Sequence, residues 1–136
     1  MWAVVTGARA WDGAVPGLAF AATRDSAAAD VRVVWERGAH DARGPHGHTA
    51  VVADRAGAIG GAEVTLGARR GGPGAPATSS DVRAVAAHEF GHVLGLTHRT
   101  ASSSVMAPDV RTDGVSAADR AVLRAWYALP AGAACR

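Results

Sequence analysis

The sequence predicts an α+β domain, and the order of its hydrophobic patterns is the basis for this prediction. A helical pattern opens the chain, three short segments with strand-like composition follow, and two helical patterns with capping residues close it. The chain has 136 residues, a length that fits one domain over residues 1–136.

The first element predicted is a short helix over residues 2–11. Val4, Ala8 and Trp11 recur at spacings of four and three residues, which places them on one helical face. No start signal precedes this pattern, which indicates that the chain begins inside an element. Asp12 and Gly13 are expected to end the helix.

Three strands are predicted next, because the segments are rich in β-branched residues and partly alternate in polarity. They cover residues 31–36, 49–53 and 62–67. A Gly-containing loop over 37–48 separates the first two strands. A second loop, over 68–80, is rich in Gly, Pro and Ser, and we interpret it as a surface loop within one domain.

Two helices are predicted to close the chain. Ser79 or Ser80 can cap the first of them, and Asp81 favours its positive end. Its apolar stripe runs through residue 94, and Gly95 then allows the chain to leave in a left-handed conformation. The last helix is predicted over 116–127, with a start from Ser116 to Asp119 that resembles a capping box.

Composition excludes several classes of function. The net charge is only +2, and the 14 basic residues, all Arg, are scattered, so nucleic-acid binding is not indicated. No apolar run is long enough to span a membrane, and residues 1–20 lack the pattern of a signal peptide. The single cysteine, Cys135, excludes a disulfide within this chain; it is either a free thiol in the tail or pairs outside the chain.

An eleven-residue segment holds the residues with the clearest chemistry. His88 and His92 are four residues apart on a helix, so both can bind one zinc ion. Glu89 is rotated by about 100° from His88, beside the metal, where it can act on a water molecule as general base. Gly95 permits a sharp turn, after which His98 can supply a third ligand. Three imidazoles leave a fourth position open, which is the catalytic pattern.

This segment, H-E-x-x-H-x-x-G-x-x-H, resembles the signature of the metzincin zinc metalloproteases. Met106, eight residues after His98, looks like the methionine of the turn that metzincins place beneath the metal. The position of Pro108, two residues further on, resembles the pattern of one metzincin group in particular, the matrixins. The chain therefore resembles a matrixin-like, matrix-metalloprotease-type catalytic domain of microbial type.

The resemblance implies both a fold and an activity. The fold would be layered, with a twisted, mostly parallel small sheet, an antiparallel edge strand, a long active-site helix and a C-terminal helix, but without the family's first strand and the start of its first helix. The activity would be zinc-dependent hydrolysis of peptide bonds in a protein or peptide substrate. That substrate would lie extended along the edge strand at 49–53. A pocket between Val85, His88 and residues 107–111 would accept the residue after the cut.

The resemblance also bears on metals and localisation. It implies one catalytic zinc, held by His88, His92 and His98. Calcium or a second, structural zinc would require the loop before the active helix, and we interpret the polar residues there as solvated, because a later histidine of that site has no counterpart. These loop residues are His40, Asp41, His46 and His48. An extracellular location is expected from the resemblance.

Two alternatives stay open at this stage. One is a catalytically silent zinc-binding or peptide-binding module on the same fold, against which the presence of Glu89 argues. The other is an incomplete peptidase fragment, suggested by the missing first strand. The sequence does not indicate the cleavage preference, the mode of activation or the oligomeric state.

Overall fold

A computed structural model describes residues 1–36, 47–55, 57–68, 76–110, 112 and 114–130. Within these ranges it contains three helices and one three-stranded sheet, so the α+β prediction is confirmed. The elements in chain order are α1 (Trp2–Arg9), β1 (Val31–Glu36), β2 (Gly47–Ala53), β3 (Ile59–Gly67), α2 (Ser79–Val93) and α3 (Ala117–Tyr127). None of the helices in this described part is long and apolar enough to cross a membrane.

The sheet has the order β1-β3-β2, so β2 lies at one edge of the described sheet. β1 runs parallel to β3 and β2 runs antiparallel to it, which confirms the predicted mixture with an antiparallel edge strand. β2 begins at Gly47 rather than at residue 49, and β3 begins at Ile59 rather than at residue 62. Both extensions contain glycines, which pair through their backbone but contribute nothing to an alternating side-chain pattern.

The N-cap of α2 differs from the prediction. Thr78 caps this helix, and not Ser79 or Ser80, which lie in its first turn. The Thr78 hydroxyl accepts a hydrogen bond from the backbone N–H of Asp81, and the Asp81 carboxylate accepts one from the backbone N–H of Thr78 at 2.8 Å. Only the residue three positions before Asp81 can form this reciprocal pair, which is why Thr78 outcompetes its neighbours.

α2 lies between α1 and the sheet, and close contact on the α1 side fixes its position. It contacts α1, β2 and β3. Gly7 of α1 faces α2 so closely that a Cβ atom there would lie 2.6 Å from the carbonyl oxygen of Arg83. Trp11, which follows α1, is fully buried, and its indole N–H donates to the carbonyl of Ala87 at 2.8 Å. The segment just before His88 is therefore held by the opening part of the chain.

α3 is bound to the residues that follow α1. Its predicted capping box, between Ser116 and Asp119, is present. The guanidinium of Arg120 donates to the backbone carbonyls of Ala10 and Asp12, which links the two ends of the described chain. Leu123, one turn further along the helix, is fully buried. This docking brings the N-terminal end of α3 into contact with Ser104 and Val105.

Candidate metal centre

The three histidines predicted from the sequence come together. His88 and His92 are on α2, and their Nε2 atoms lie 3.1 Å apart. His98, beyond the end of the helix, places its Nε2 atom 3.2 Å from that of His88. Each of the three residues offers one ring nitrogen, and these nitrogens lie within 4.8 Å of one another. This group can hold a metal ion.

The end of α2 has the geometry that brings His98 back toward the helix. Gly95 has a φ of 88°, in the left-handed region, as predicted. Its backbone N–H donates to the carbonyl of His92 at 2.9 Å, and the N–H of Leu96 donates to the carbonyl of Gly91 at 3.0 Å. These two bonds form a Schellman motif, in which a residue with a Cβ atom would be strained at the glycine position. The reversal follows from backbone geometry alone.

Hydrogen bonds at the other ring nitrogens fix the tautomers of the two helical histidines. The Nδ1 atom of His88 lies 2.7 Å from the carbonyl oxygen of Val105, and that of His92 lies 2.7 Å from the carbonyl oxygen of Leu96. A carbonyl can only accept, so the Nδ1 atom of each ring carries a hydrogen. In the neutral ring the Nε2 atom is then unprotonated and its lone pair can bind a metal. Such bonds to the second nitrogen are typical of metal-binding histidines.

These contacts provide a test of whether a metal fits. If both rings are neutral with the hydrogen on Nδ1, the Nε2 lone pairs of His88 and His92 face each other at 3.1 Å, an arrangement that a cation between them would stabilise. With Zn–N bonds of ~2.0–2.1 Å in a tetrahedron, the nitrogens would be about 3.3–3.4 Å apart. The observed separations of 3.1 and 3.2 Å are close to this value, so the donor set fits zinc.

The environment of His88 also favours the neutral ring. Burial lowers the pKa of His88 to about 4; its hydrogen bond to the Val105 carbonyl opposes this, while His92 and His98 lower the pKa further. A ring with this pKa is neutral at physiological pH. It is thus in the state that a metal ligand requires without having to lose a proton.

A buried turn over residues 104–107, which we call the floor, packs against α2 between its two histidines. Met106 is fully buried, as is Val105 before it. The sulfur of Met106 occupies the space where a Cβ atom of Gly91 would lie, and the indole of Trp11 is 3.0 Å from the same point. The sequence motif treated Gly91 as an unspecified position between the ligands. Its lack of a side chain is what lets the methionine and the tryptophan pack against α2.

Comparison with known proteins assigns the family at this point. The family model described as Matrixin matches residues 3–128, nearly the whole chain. The chain belongs to the matrixin family. Stromelysin-3 from Rattus norvegicus and stromelysin-3 from Mus musculus are each 62% identical to it over 29 residues. That segment is 21% of this chain and only 6% of the length of each relative, so this second similarity is local. Membership in this zinc-binding peptidase family confirms the resemblance inferred from the motif.

One residue of this matrixin has a role that the sequence did not reveal. Asp119 was predicted only as part of a helix cap, but its carboxylate also accepts from the hydroxyl of Ser104 and from the backbone N–H of Val105 at 3.3 Å. The Ser104 hydroxyl oxygen in turn accepts from the N–H of Met106 at 3.0 Å. Burial acts to raise the pKa of Asp119, but the hydrogen bonds from Ser104, Ser116 and Val105 outweigh it and lower the pKa. α3 thus holds the turn whose carbonyl binds His88.

The predicted general base of the matrixin, Glu89, lies on the side of α2 that faces the sheet. Its side chain is buried, only 4% exposed. The hydroxyl of Thr49 on β2 lies 2.6 Å from its Oε2 atom. Gly47, two residues earlier on the same strand, passes directly beside the carboxylate. Neither strand residue was singled out by the sequence, because both contacts depend on how β2 packs against α2.

The residues considered for a further metal are only partly described. His48 lies on β2 and is exposed. His40, Asp41 and His46 lie outside the described residues, as does Cys135. Solvation of the loop residues therefore stays a prediction.

Proposed function

We propose that this matrixin is a zinc-dependent metalloendopeptidase in which His88, His92 and His98 hold the zinc ion and Glu89 is the general base. The observation that supports this most directly is the convergence of three Nε2 atoms at 3.1 and 3.2 Å while two of the rings are anchored through Nδ1. Among the described residues these three histidines form the whole donor set, and three histidines without a fourth protein ligand are the pattern of catalytic rather than structural zinc.

The chemistry follows from the positions of these side chains. His88, His92 and His98 would hold a zinc ion, which would supply Lewis acidity and make water a better nucleophile. Glu89 accepts a proton as the water oxygen attacks the carbonyl carbon of the scissile peptide bond. Glu89 then donates this proton to the departing amine as the C–N bond breaks. A carboxylate held in one orientation next to the first ligand of the motif suits both transfers.

The substrate is proposed to bind along β2. This strand is at an edge of the described sheet, so an extended peptide can pair with its free backbone groups. Val85 and Ala107 are buried and Val110 is half-buried, so these apolar side chains suit a pocket for an apolar residue after the cut. A protein or peptide substrate is consistent with membership in a peptidase family.

The test combines metal analysis with a digest. The purified chain is expected to contain one equivalent of zinc and to cleave casein or a quenched peptide library, and a chelator is expected to stop the cleavage. The Glu89→Ala variant should keep its zinc but lose turnover by ~10²–10⁴-fold.

Glu63→Ala provides a matched control, because the Glu63 side chain is 50% exposed on β3 and lies 3.8 Å from Arg32. This variant should behave like the parent chain. An active Glu89→Ala variant would contradict the proposed mechanism. Zinc binding without cleavage in the parent chain would instead identify a silent zinc-binding module.

A further inference from the structure

We infer that Thr49 is a positioning residue that orients the carboxylate of Glu89, and that Gly47 provides the space in which this carboxylate lies. The inference rests on the proposed function, because it concerns the proposed general base. The edge strand β2 would then orient Glu89 in addition to pairing with the substrate.

The two residues face α2 together. Gly47 and Thr49 are two positions apart on β2, so they share one face of the sheet. Their partners in the antiparallel register are Leu66 and Val64 of β3. Both of these partners are buried, which shows that the shared face is the one that packs against the helix.

The contact between Thr49 and Glu89 is a charge-assisted hydrogen bond. The Oγ1 atom of Thr49 lies 2.6 Å from the Oε2 atom of Glu89 and 3.1 Å from the backbone carbonyl oxygen of the same residue. An ionised carboxylate can only accept, so the hydroxyl is the donor, and its single hydrogen belongs to the shorter contact. A separation of 2.6 Å is typical of a hydroxyl bound to a carboxylate.

Gly47 constrains the same carboxylate by its lack of a side chain. A Cβ atom at this position would lie 2.7 Å from both the Cγ and Oε1 atoms of Glu89, and 2.9 Å from its Cδ atom. These separations are too short for any side chain unless Glu89 moves. The hydroxyl therefore holds one carboxylate oxygen, while the space at Gly47 accommodates the other.

This arrangement has a consequence for catalysis. A general base works only if its oxygen is held in the correct geometry, and a flexible glutamate would have to be ordered in each cycle. β2 is also the strand that an extended substrate would join. The base and the scissile bond would then be placed by one element, and their relative position would not depend on a loop.

The experiment removes the hydroxyl while keeping the shape of the side chain. Thr49→Val is expected to lower kcat by roughly 10–100-fold, with zinc content and KM essentially unchanged. Thr49→Ser, which keeps the hydroxyl, should recover most of the loss. Gly47→Ala should also lower kcat, because its methyl group displaces the carboxylate rather than releasing it.

Thr65→Val is the matched control. Thr65 pairs with His48 on the opposite face of the same sheet, so this variant makes the same chemical change away from Glu89. It should retain the parent kcat. The inference is overturned if Thr49→Val keeps the parent kcat, or if Thr49→Ser loses as much activity and stability as Thr49→Val.

A second readout separates this inference from the proposed function. In a double-mutant cycle of thermal stability, Thr49→Val should shift the melting temperature less in a Glu89→Ala background than in the parent chain. Equal shifts in both backgrounds would show that the two residues do not interact and would overturn the inference. A parent chain that cleaves no peptide would overturn the proposed function, while this cycle would still test the contact.

Discussion

The two sides of α2 hold its functional residues in different ways. In the turn that contacts His88, Val105 and Met106 are fully buried, and hydrogen bonds to Asp119, direct or through Ser104, join them to α3. On the sheet side, Thr49 is only half-buried and contacts Glu89 from an edge strand. This difference indicates that the orientation of the helical histidines depends on the same buried contacts that stabilise the fold. The orientation of the base depends on a contact with a half-buried edge-strand residue, and we expect that this contact can be changed without unfolding the chain.

The sharpest test of this comparison concerns the ligand outside the helix. His98 is exposed, so His98→Ala should leave the fold intact. Zinc affinity should fall by more than the ~10–100-fold that loss of an outer-shell partner costs, because a direct ligand is removed. Competition with a chromophoric chelator measures this affinity, and circular dichroism checks the fold. Unchanged affinity would show that the third ligand lies elsewhere, and the exposed His48→Ala is the control.

On the buried side, adding one methyl group should cost stability. Gly91→Ala places a Cβ atom against the sulfur of Met106 and the indole of Trp11. Overpacking typically costs about 1–3 kcal/mol, and the close approach of the sulfur favours the upper part of this range. Gly60→Ala is the matched control, since the nearest atom to its Cβ would be 3.9 Å away. Denaturant unfolding measures both variants. Equal midpoints for the two would mean that the floor tolerates the extra volume.

Removal of the carboxylate that joins α3 to the floor should have a somewhat smaller effect. Asp119→Ala leaves the buried N–H of Val105 and the hydroxyl of Ser104 without their acceptor, which should cost about 1–2 kcal/mol. The exposed Asp30→Ala is the control for charge. A free energy of unfolding equal to that of the parent would contradict the proposed link.

The same carboxylate predicts how stability depends on pH. The pKa of Asp119 is lowered in the folded chain, so it lies below the value of about 3.9 expected after unfolding. Its contribution is fully present above that pH and is lost as the pH falls through the lower folded-state pKa. The difference in unfolding free energy between the parent and Asp119→Ala should therefore shrink below about pH 4. If this difference in unfolding free energy stayed constant down to acid pH, the pKa of Asp119 would not be lowered in the folded chain.

The smallest effect is expected at the methionine of the floor. Met106 is fully buried against Gly91 of α2, and Met106→Leu nearly conserves its volume. We expect a cost below about 1.5 kcal/mol and an unchanged zinc content. Complete loss of zinc in this variant would mean that the thioether does more than fill the core. That result would also contradict the view that the buried side of α2 affects the metal centre only through packing and stability.

Much of the metal centre could be predicted because its information is local. His88 and His92 lie one helical turn apart, and Gly95 marks the reversal that brings His98 back. The spacing of the motif therefore predicts their convergence. The layered α+β fold was predictable from periodicity and from the resemblance. The strands were also found, although the glycines at their ends concealed where two of them begin.

What the sequence could not indicate depends on contacts across the fold. Thr49 and Glu89 are 40 residues apart, and their contact exists only because β2 packs against α2. Asp119 and Ser104 are 15 residues apart. The helix-capping motif is a sufficient explanation of Asp119 in the sequence, so its hydrogen bond to the turn at Ser104 could not be predicted. Short-range sequence patterns do not predict either of these two long-range contacts.

The buried indole described above has a practical consequence for spectroscopy. The chain has 4 tryptophans, and Trp2 and Trp35 are 69% and 49% exposed, whereas Trp11 is fully enclosed and hydrogen-bonded one residue before His88. Its emission should be shifted to the blue of that of its exposed counterparts and protected from quenchers such as iodide. Fluorescence quenching can therefore report, without any label, whether the opening helix remains docked while metal is added or withdrawn.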